Sequence, residues 1–251
     1  MRKSKHLLKS IYSLLLTAFL LACSPSLTPS GTGQFIAISE DVEVKDEINN
    51  FLQPFKEALE AEMNAVIGQS EEELTKDGSG ESKLGNLITD FQKAFAEETL
   101  GYAIDISIMN NGGIRNILPK GDIKLGTIYE ISPFDNYLHV LEIDAAGIRE
   151  LVSYAARGRN LGIAGLTYRS VQGEIQEISI NGQALSEEKT YLLAANDYIA
   201  NGGDNMSFLI PLTRKEETDI VLRDILINQI KKETAAGNRI HASIEGRQII
   251  E

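Results

Sequence analysis

At 251 residues, with 43% hydrophobic and 24% charged residues, the chain has globular composition and the length of one large domain or two small ones. Acids outnumber bases, 36 Asp and Glu against 24 Lys and Arg, for a net charge of −12. A surface of that sign repels nucleic-acid backbones and argues against a DNA or RNA partner, whereas small anions are still readable by a few local donors.

The N-terminus reads as a targeting segment. Arg2, Lys3, Lys5 and Lys9 form a basic start, followed by an apolar run from Ile11 to Ala22. That run is too short to span a bilayer and has the length of a signal-peptide core. It ends in Leu20-Leu21-Ala22-Cys23, which resembles a lipobox, although Leu21 is bulkier than the Ala or Ser common at that position. Cys23 is the one cysteine, so no disulfide forms within the chain. The expectation is a lipoprotein signal peptide over residues 1–22, lipidation of Cys23, and a tether over 23–42 in which Ser24 to Gly33 is rich in Ser, Pro, Thr and Gly. The protein is then exported and lipid-anchored to a bacterial membrane, facing the periplasm. The competing expectation is a plain secretory signal cleaved elsewhere. Without residues 1–22 the balance is 20 basic against 36 acidic residues, a net of −16.

The remainder, 43–251, reads as one folded domain. Val44, Ile48, Phe51, Leu52, Phe55 and Leu59 recur at helical spacing and predict an amphipathic helix over 44–63, interrupted by Pro54. Gln69 to Lys83 is polar and holds Asp77-Gly78-Ser79-Gly80, a loop signal. A helix follows over 84–98, then a strand over 104–109 that must turn at Asn110-Asn111-Gly112-Gly113. Tyr137 to Ile143 reads as a strand and Ala145 to Ala156 as a helix. Strands dominate from Leu166 to Asn196, with a hairpin at Asn181-Gly182. A long helix over 216–235 and a short strand over 239–244 close the chain. Helices flank a mixed strand block without βαβ alternation, so the fold class is α+β, mixed sheets layered with helices.

Catalytic machinery is thin. His6 leaves with the signal peptide, and His139 and His241 stand about a hundred residues apart. A two-metal hydrolytic site needs several converging ligands, and no His-x-His, Asp-x-His or Gly-Asn-His cluster supplies them. A Ser–His–Asp set is not excluded by counting, but no Gly-x-Ser-x-Gly elbow marks a nucleophile. Gly202-Gly203-Asp204-Asn205 lacks the spacing and closing Glu of a calcium loop.

Three turns stand out instead. Asn110-Asn111-Gly112-Gly113-Ile114-Arg115 delivers a guanidinium just past two glycines. Backbone amides at such a turn approach an anion closely, and Arg grips phosphate or carboxylate bidentately. Ser132-Pro133-Phe134-Asp135-Asn136 sets a ring beside a polar amide, and Tyr198 precedes Asp204 across Gly202-Gly203. Two rings with an Asn, an Arg and an Asp suit a nucleoside clamp. Read singly, each turn is a structural loop with its aromatic as a core plug.

Together the motifs resemble the C-terminal domain of the 5′-nucleotidase/UDP-sugar hydrolase family, from about Glu81 to the end. Glu81-Ser82-Lys83-Leu84-Gly85-Asn86-Leu87-Ile88-Thr89-Asp90 is similar to the family's Glu-x-x-Leu-Gly-Asn-Leu-x-x-Asp opening. Asn110 to Arg115 resembles its Asn-Gly-Gly-Gly-Ile-Arg segment, Pro133 to Asn136 its Pro-Phe-Gly-Asn turn, and Gly202 to Asn205 its Gly-Gly-Asp-Gly turn. The resemblance implies Phe134 and Tyr198 stacked on a base, with Asn110 and Asn136 along it. It implies Arg115 near phosphate or ribose, the Gly112 and Gly113 backbone near the ligand, and Asp204 on ribose hydroxyls. Gly158 falls where the family's backbone nears the ligand. In the family a separate N-terminal domain holds two divalent metals and performs the hydrolysis. Fewer than sixty residues separate Cys23 from the resemblance, too few for that domain.

The resemblance therefore implies no metal and no catalytic residue here, and a chain inactive alone. Its partners would be a nucleoside or nucleoside monophosphate, a separately encoded metallophosphatase, and the membrane. The arginines the family often places upstream of Leu-Gly-Asn-Leu are missing, with Lys76 and Lys83 the nearest cations, and Asp135 adds a carboxylate that tilts preference away from polyanions. The leading reading is the recognition part of a split 5′-nucleotidase. The alternatives are a stand-alone nucleoside- or nucleotide-binding lipoprotein, and a scaffold without ligand whose Phe134 and Tyr198 plug the core.

Overall fold

The computed structural model describes residues 45–78, 80–158 and 160–251, together with Gly33. The expected signal peptide, Cys23 and the tether apart from Gly33 lie outside the described residues. The chain divides into two compact units, residues 1–49 and 50–251. All that follows concerns the second, apart from the first turn of the opening helix.

Helix α1 runs Asp46–Met63 and passes through Pro54 unbroken, although proline cannot donate the bond that residue's N–H would make. Its apolar stripe is present, but none of its residues is buried. Ile48, Phe51, Leu52, Phe55 and Leu59 are 40–68% exposed. Strand β1, Val66–Ser70, follows. The polar composition of Gln69 and Ser70 suggests loop. They pair instead with β3, Gly121–Lys124, in a two-stranded antiparallel ribbon, where Gln69 faces solvent and fully buried Ser70 satisfies its hydroxyl on Glu72 O at 2.6 Å. Helix α2, Lys83–Leu100, begins where the Ser82 hydroxyl accepts from Gly85 N and ends at Gly101 in the left-handed region, φ 77°.

The centre is a five-stranded mixed sheet in the order β10-β4-β9-β2-β5. Its strands are β2 (Ile106–Met109), β4 (Tyr137–Ile143), β5 (Gly162–Ala164), β9 (Tyr191–Asn196) and β10 (Thr213–Val221). Strands β2 and β9 are parallel, and the other neighbouring pairs antiparallel. Both faces are covered, which is why β4 reads as a nearly continuous apolar run. Leu138 and Val140 join a core with Leu84, Leu87 and Ile88 of α2 and Ile225, Leu226 and Ile230 of helix α6, Leu222–Ala235. Leu141 and Ile143 join a second core with Ile148, Leu151 and Val152 of helix α4, Ala145–Ala155. That core also takes Leu166 and Tyr168 of β6, Leu166–Val171, and Ile180 of β7, Glu174–Ile180. A four-stranded sheet, β11-β6-β7-β8, flanks it, with β8 at Gln183–Ala184 and β11 at Gln248–Ile250. Strands β7 and β8 are joined at Asn181 (φ 50°) and Gly182 (φ 77°), two successive positive φ values that suit the twist of a two-residue hairpin. The class is α+β with mixed sheets, as expected from the sequence.

Further expectations change. Residues 216–221 belong to β10, not to the last helix. Their charges lie along a sheet edge where half-buried and exposed positions alternate, a common protection of edge strands that resembles a solvated helix face in sequence. Residues 239–244 form no strand. Ile240 makes one bridge to Ser70, and the closing strand is β11, parallel to β6. Helix α3, Leu125–Ile131, and strand β3 have no counterpart in the sequence reading.

Candidate functional site

The topology brings the three singled-out turns to one edge of the central sheet. Because β2 and β9 are parallel, their carboxyl ends lie side by side and release Asn110 and Asn196 together. Strand β4 is antiparallel to β9 with Leu138 opposite Asn196, so the Ser132–Asn136 turn enters at the same edge. The start of α6 arrives there too, since Val221 of β10 pairs with Tyr137 and Leu222 N donates to Asn136 O at 2.9 Å.

A cavity of about 410 Å³ opens at this edge, lined by Asn110, Gly112, Gly113, Arg115, Phe134, Asn136, Tyr198 and Asp204. It falls within the size range of small-molecule sites. A second hollow of about 260 Å³ shares Asn110, Gly112 and Asp204 with it and adds Tyr154, Leu161 and Asn205. Of the residues picked from sequence, Gly158 alone does not line the first cavity. It is exposed, with φ 74°, in the turn between α4 and β5.

Asp204 is the most constrained group. Its backbone is left-handed (φ 52°, ψ 29°), a conformation that costs of order 1 kcal/mol in a residue with a side chain. Its carbonyl accepts from Tyr154 Oη at 2.9 Å. Its Oδ2 accepts from Asn110 Nδ2 at 2.6 Å, and its Oδ1 from Tyr198 Oη at 2.9 Å. Asn110 is buried, and its Oδ1 accepts from Asn196 Nδ2 at 3.0 Å, while Asn196 caps helix α5, Asp197–Ala200, through Ile199 N. Asn110 therefore orients Asp204, beyond the base contact that the resemblance implies. A Cβ on Gly203 would lie 2.5 Å from the Tyr198 ring, so glycine there lets the ring rest on the turn, whereas one on Gly113 would meet the flexible end of Met109 at 2.5 Å.

The two rings are not core plugs, since Phe134 and Tyr198 are each 47% exposed. Arg115 holds its guanidinium carbon 5.9 Å from the Phe134 ring centroid, within cation–π range. It is the one cation among the lining residues. Lys76 donates to Ile114 O at 2.6 Å and Lys83 pairs with Glu72, so both nearby lysines are engaged in the framework.

Sequence reading missed two positioning groups. Asp197 Oδ1 accepts from Asn136 Nδ2 (3.0 Å), Tyr137 N (3.1 Å) and Tyr198 N (2.9 Å). Arg223 of α6 lies over the Tyr129 ring at 4.4 Å and donates to Ser132 O (2.8 Å), Pro133 O (3.3 Å) and Asp135 Oδ1 (2.7 Å). The Asp135 carboxylate is thus paired and is not among the cavity's lining residues. Neither group carries a clear local sequence signal, because apart from Tyr198, next to Asp197, their partners are about 60 to 90 residues away.

The opening motif lies elsewhere and has a structural task. Buried Glu81 accepts from Asn86 Nδ2 (2.6 Å), Glu245 N (2.8 Å) and Arg247 N (2.8 Å), and Asp90 takes Arg247 bidentately at 2.8 and 2.7 Å. His139 is nearly buried in β4, while His241 is partnered only weakly, at 3.4 Å from Arg239 O. Among the described residues no group of three or more His, Cys, Asp or Glu side chains is placed to hold a metal ion.

Comparison with known proteins gives these turns a context. The trifunctional nucleotide phosphoesterase protein YfkN of Bacillus subtilis is 30% identical over 236 residues, which cover 84% of this chain and 16% of that protein. A 5′-nucleotidase of Vibrio parahaemolyticus is 23% identical over 183 residues, 69% of this chain and 32% of its own. The chain thus spans about a sixth to a third of the length of these curated relatives. The crystal structure of a 5′-nucleotidase precursor from Thermus thermophilus superposes with a TM-score of 0.69 at 27% identity, over 80% of this chain and 42% of that one. The family model for the 5′-nucleotidase C-terminal domain matches residues 66–210, a span that holds every residue lining the cavity. The chain belongs to the 5′-nucleotidase C-terminal domain family.

Proposed function

We propose that the sheet-edge cavity binds nucleosides and nucleoside monophosphates, and that the chain is the recognition part of a split 5′-nucleotidase. One observation carries the reading: two half-exposed rings, a fixed carboxylate and one guanidinium line a single cavity at a sheet edge. A base held between Phe134 and Tyr198 gains about 1–3 kcal/mol per stacked ring. Asp204 accepts from the ribose hydroxyls, and Arg115 takes charge from the phosphate. Hydrolysis in this reading belongs to a separately encoded metallophosphatase holding two divalent metals. Lipidation of Cys23 keeps the recognition domain at the membrane, facing the periplasm. Calorimetric titration of the 251-residue chain in detergent tests recognition: adenosine and AMP bind, and Phe134→Ala and Tyr198→Ala abolish both signals while staying folded. Failure of both ligands to bind overturns the reading. The catalytic half is tested by mixing with an exported metallophosphatase of the same cell, where AMP hydrolysis should rise.

One observation favours a second reading, capture of nucleosides without hydrolysis. Arg115 is the one cation among the lining residues, and Lys76 and Lys83 are engaged elsewhere. Adenosine binding at least as tightly as AMP, with no gain in hydrolysis on mixing, would select it.

A further inference from the structure

We infer that the Tyr198 hydroxyl competes with the ligand's vicinal diol for Asp204, so that this phenol sets how strongly the site prefers ribosides to sugars lacking the diol. The inference rests on the nucleoside reading above. Both oxygens of Asp204 already have a donor: Asn110 Nδ2 at 2.6 Å on Oδ2 and Tyr198 Oη at 2.9 Å on Oδ1. The two bonds are not equivalent. The Asn110 bond continues into Asn196, which is fully buried and tied to Ile199 N. The Tyr198 bond sits at the open side of the cavity on a half-exposed ring.

The phenol is nevertheless held in place. Its ring lies directly on Gly203, where a Cβ would approach to 2.5 Å, and Oη also accepts from Asp204 N at 3.3 Å. Oη and Asp204 therefore close a two-bond ring through one residue, and Oδ1 keeps its donor unless a ligand displaces or shares it. A sugar hydroxyl arriving at Oδ1 either shares an occupied acceptor or leaves the phenol without one. With phenylalanine at 198 the ring remains, water replaces the phenol on Oδ1, and the hydroxyl exchanges with water at little net cost.

The test compares adenosine with 2′,3′-dideoxyadenosine by calorimetry on the 251-residue chain, wild type and Tyr198→Phe. Tyr198→Phe should raise the ratio of adenosine affinity to dideoxyadenosine affinity by about three- to tenfold, the net scale of one ordinary hydrogen bond, as solvent weakens the charged one in this half-exposed site. Asp204→Asn keeps a residue type that tolerates the left-handed backbone and should collapse the wild-type ratio toward one. Circular dichroism confirms the fold of each variant. A ratio unchanged or lowered by Tyr198→Phe overturns the inference while leaving the nucleoside reading intact. Failure of both ligands to bind any form overturns the two together.

Discussion

The Asp197 carboxylate accepts a hydrogen bond from the Asn136 side chain at 3.0 Å and so joins the two turns that carry the cavity's rings. The same oxygen takes the backbone N–H of Tyr137 and of Tyr198. Removing it frees both walls at once and leaves three donors without their acceptor. Asp197→Ala should weaken adenosine binding about tenfold, equivalent to one charge-assisted hydrogen bond. Asp197→Asn retains an acceptor and should recover part of that loss. Binding as in wild type by Asp197→Ala would show that the turns hold their places unaided.

Arg223 fixes the Phe134 turn from behind, through Ser132 O, Pro133 O and Asp135. Its side chain is 11% exposed against 74% for Asp135, so the carbonyl bonds count for more than the ion pair, most of which faces water. Arg223→Ala should reduce adenosine affinity about five- to tenfold through a faster off-rate, whereas Asp135→Asn should change it by less than about twofold. The ratio of AMP to adenosine affinity should also stay within about twofold in Asp135→Asn, because Arg223 already balances that charge. A strong shift of this ratio would restore the carboxylate to the role suggested by sequence.

Helix α1 should be dispensable for the stability of the domain it precedes. Phe51 and Phe55 touch each other, with ring centroids 5.7 Å apart, yet stand 68% and 64% exposed. Phe51→Ser and Phe55→Ser should each change the unfolding free energy in urea by no more than about 0.5 kcal/mol, as for surface changes. Leu84→Ala, on the core face of α2, should cost about 2–5 kcal/mol. A core-sized loss from either Phe would mean that the helix face is covered in solution.

What could be read in advance follows the range of the interactions. Periodicity is local, so α2, β4 and α4 were legible to within two residues at each end. Turn chemistry is local too: Asn181-Gly182 marked its hairpin, and the glycines at 112 and 113 marked the cavity wall. Strand β10 was misread because an edge strand coated with Arg214, Glu216, Glu217 and Asp219 carries the polarity of a helix surface. Strand β1 was hidden because its ribbon partner lies over fifty residues away. Asp197 and Arg223 escaped for the same reason, since their tasks exist only once the sheet edge assembles.

Glu81 belongs to the same class of long-range contact, and its removal should be the costliest single change outside the apolar cores. It is 6% exposed, and its carboxylate takes two backbone N–H groups of the C-terminal segment and the Asn86 amide. Arg247, held by Asp90 and by Ile163 O, follows directly and leads into β11. Glu81→Ala strands these donors in a buried setting, where each unsatisfied group costs about 1–3 kcal/mol. The expected loss is about 3–5 kcal/mol in urea denaturation, with adenosine affinity of the folded fraction little changed, since Glu81 does not line the cavity. Glu81→Gln keeps one carbonyl acceptor and should lose roughly half as much. If Glu81→Ala instead unfolds no more easily than wild type, the C-terminal segment is held by Arg247 and β11 pairing without Glu81. The motif that opens the family resemblance would then need another explanation.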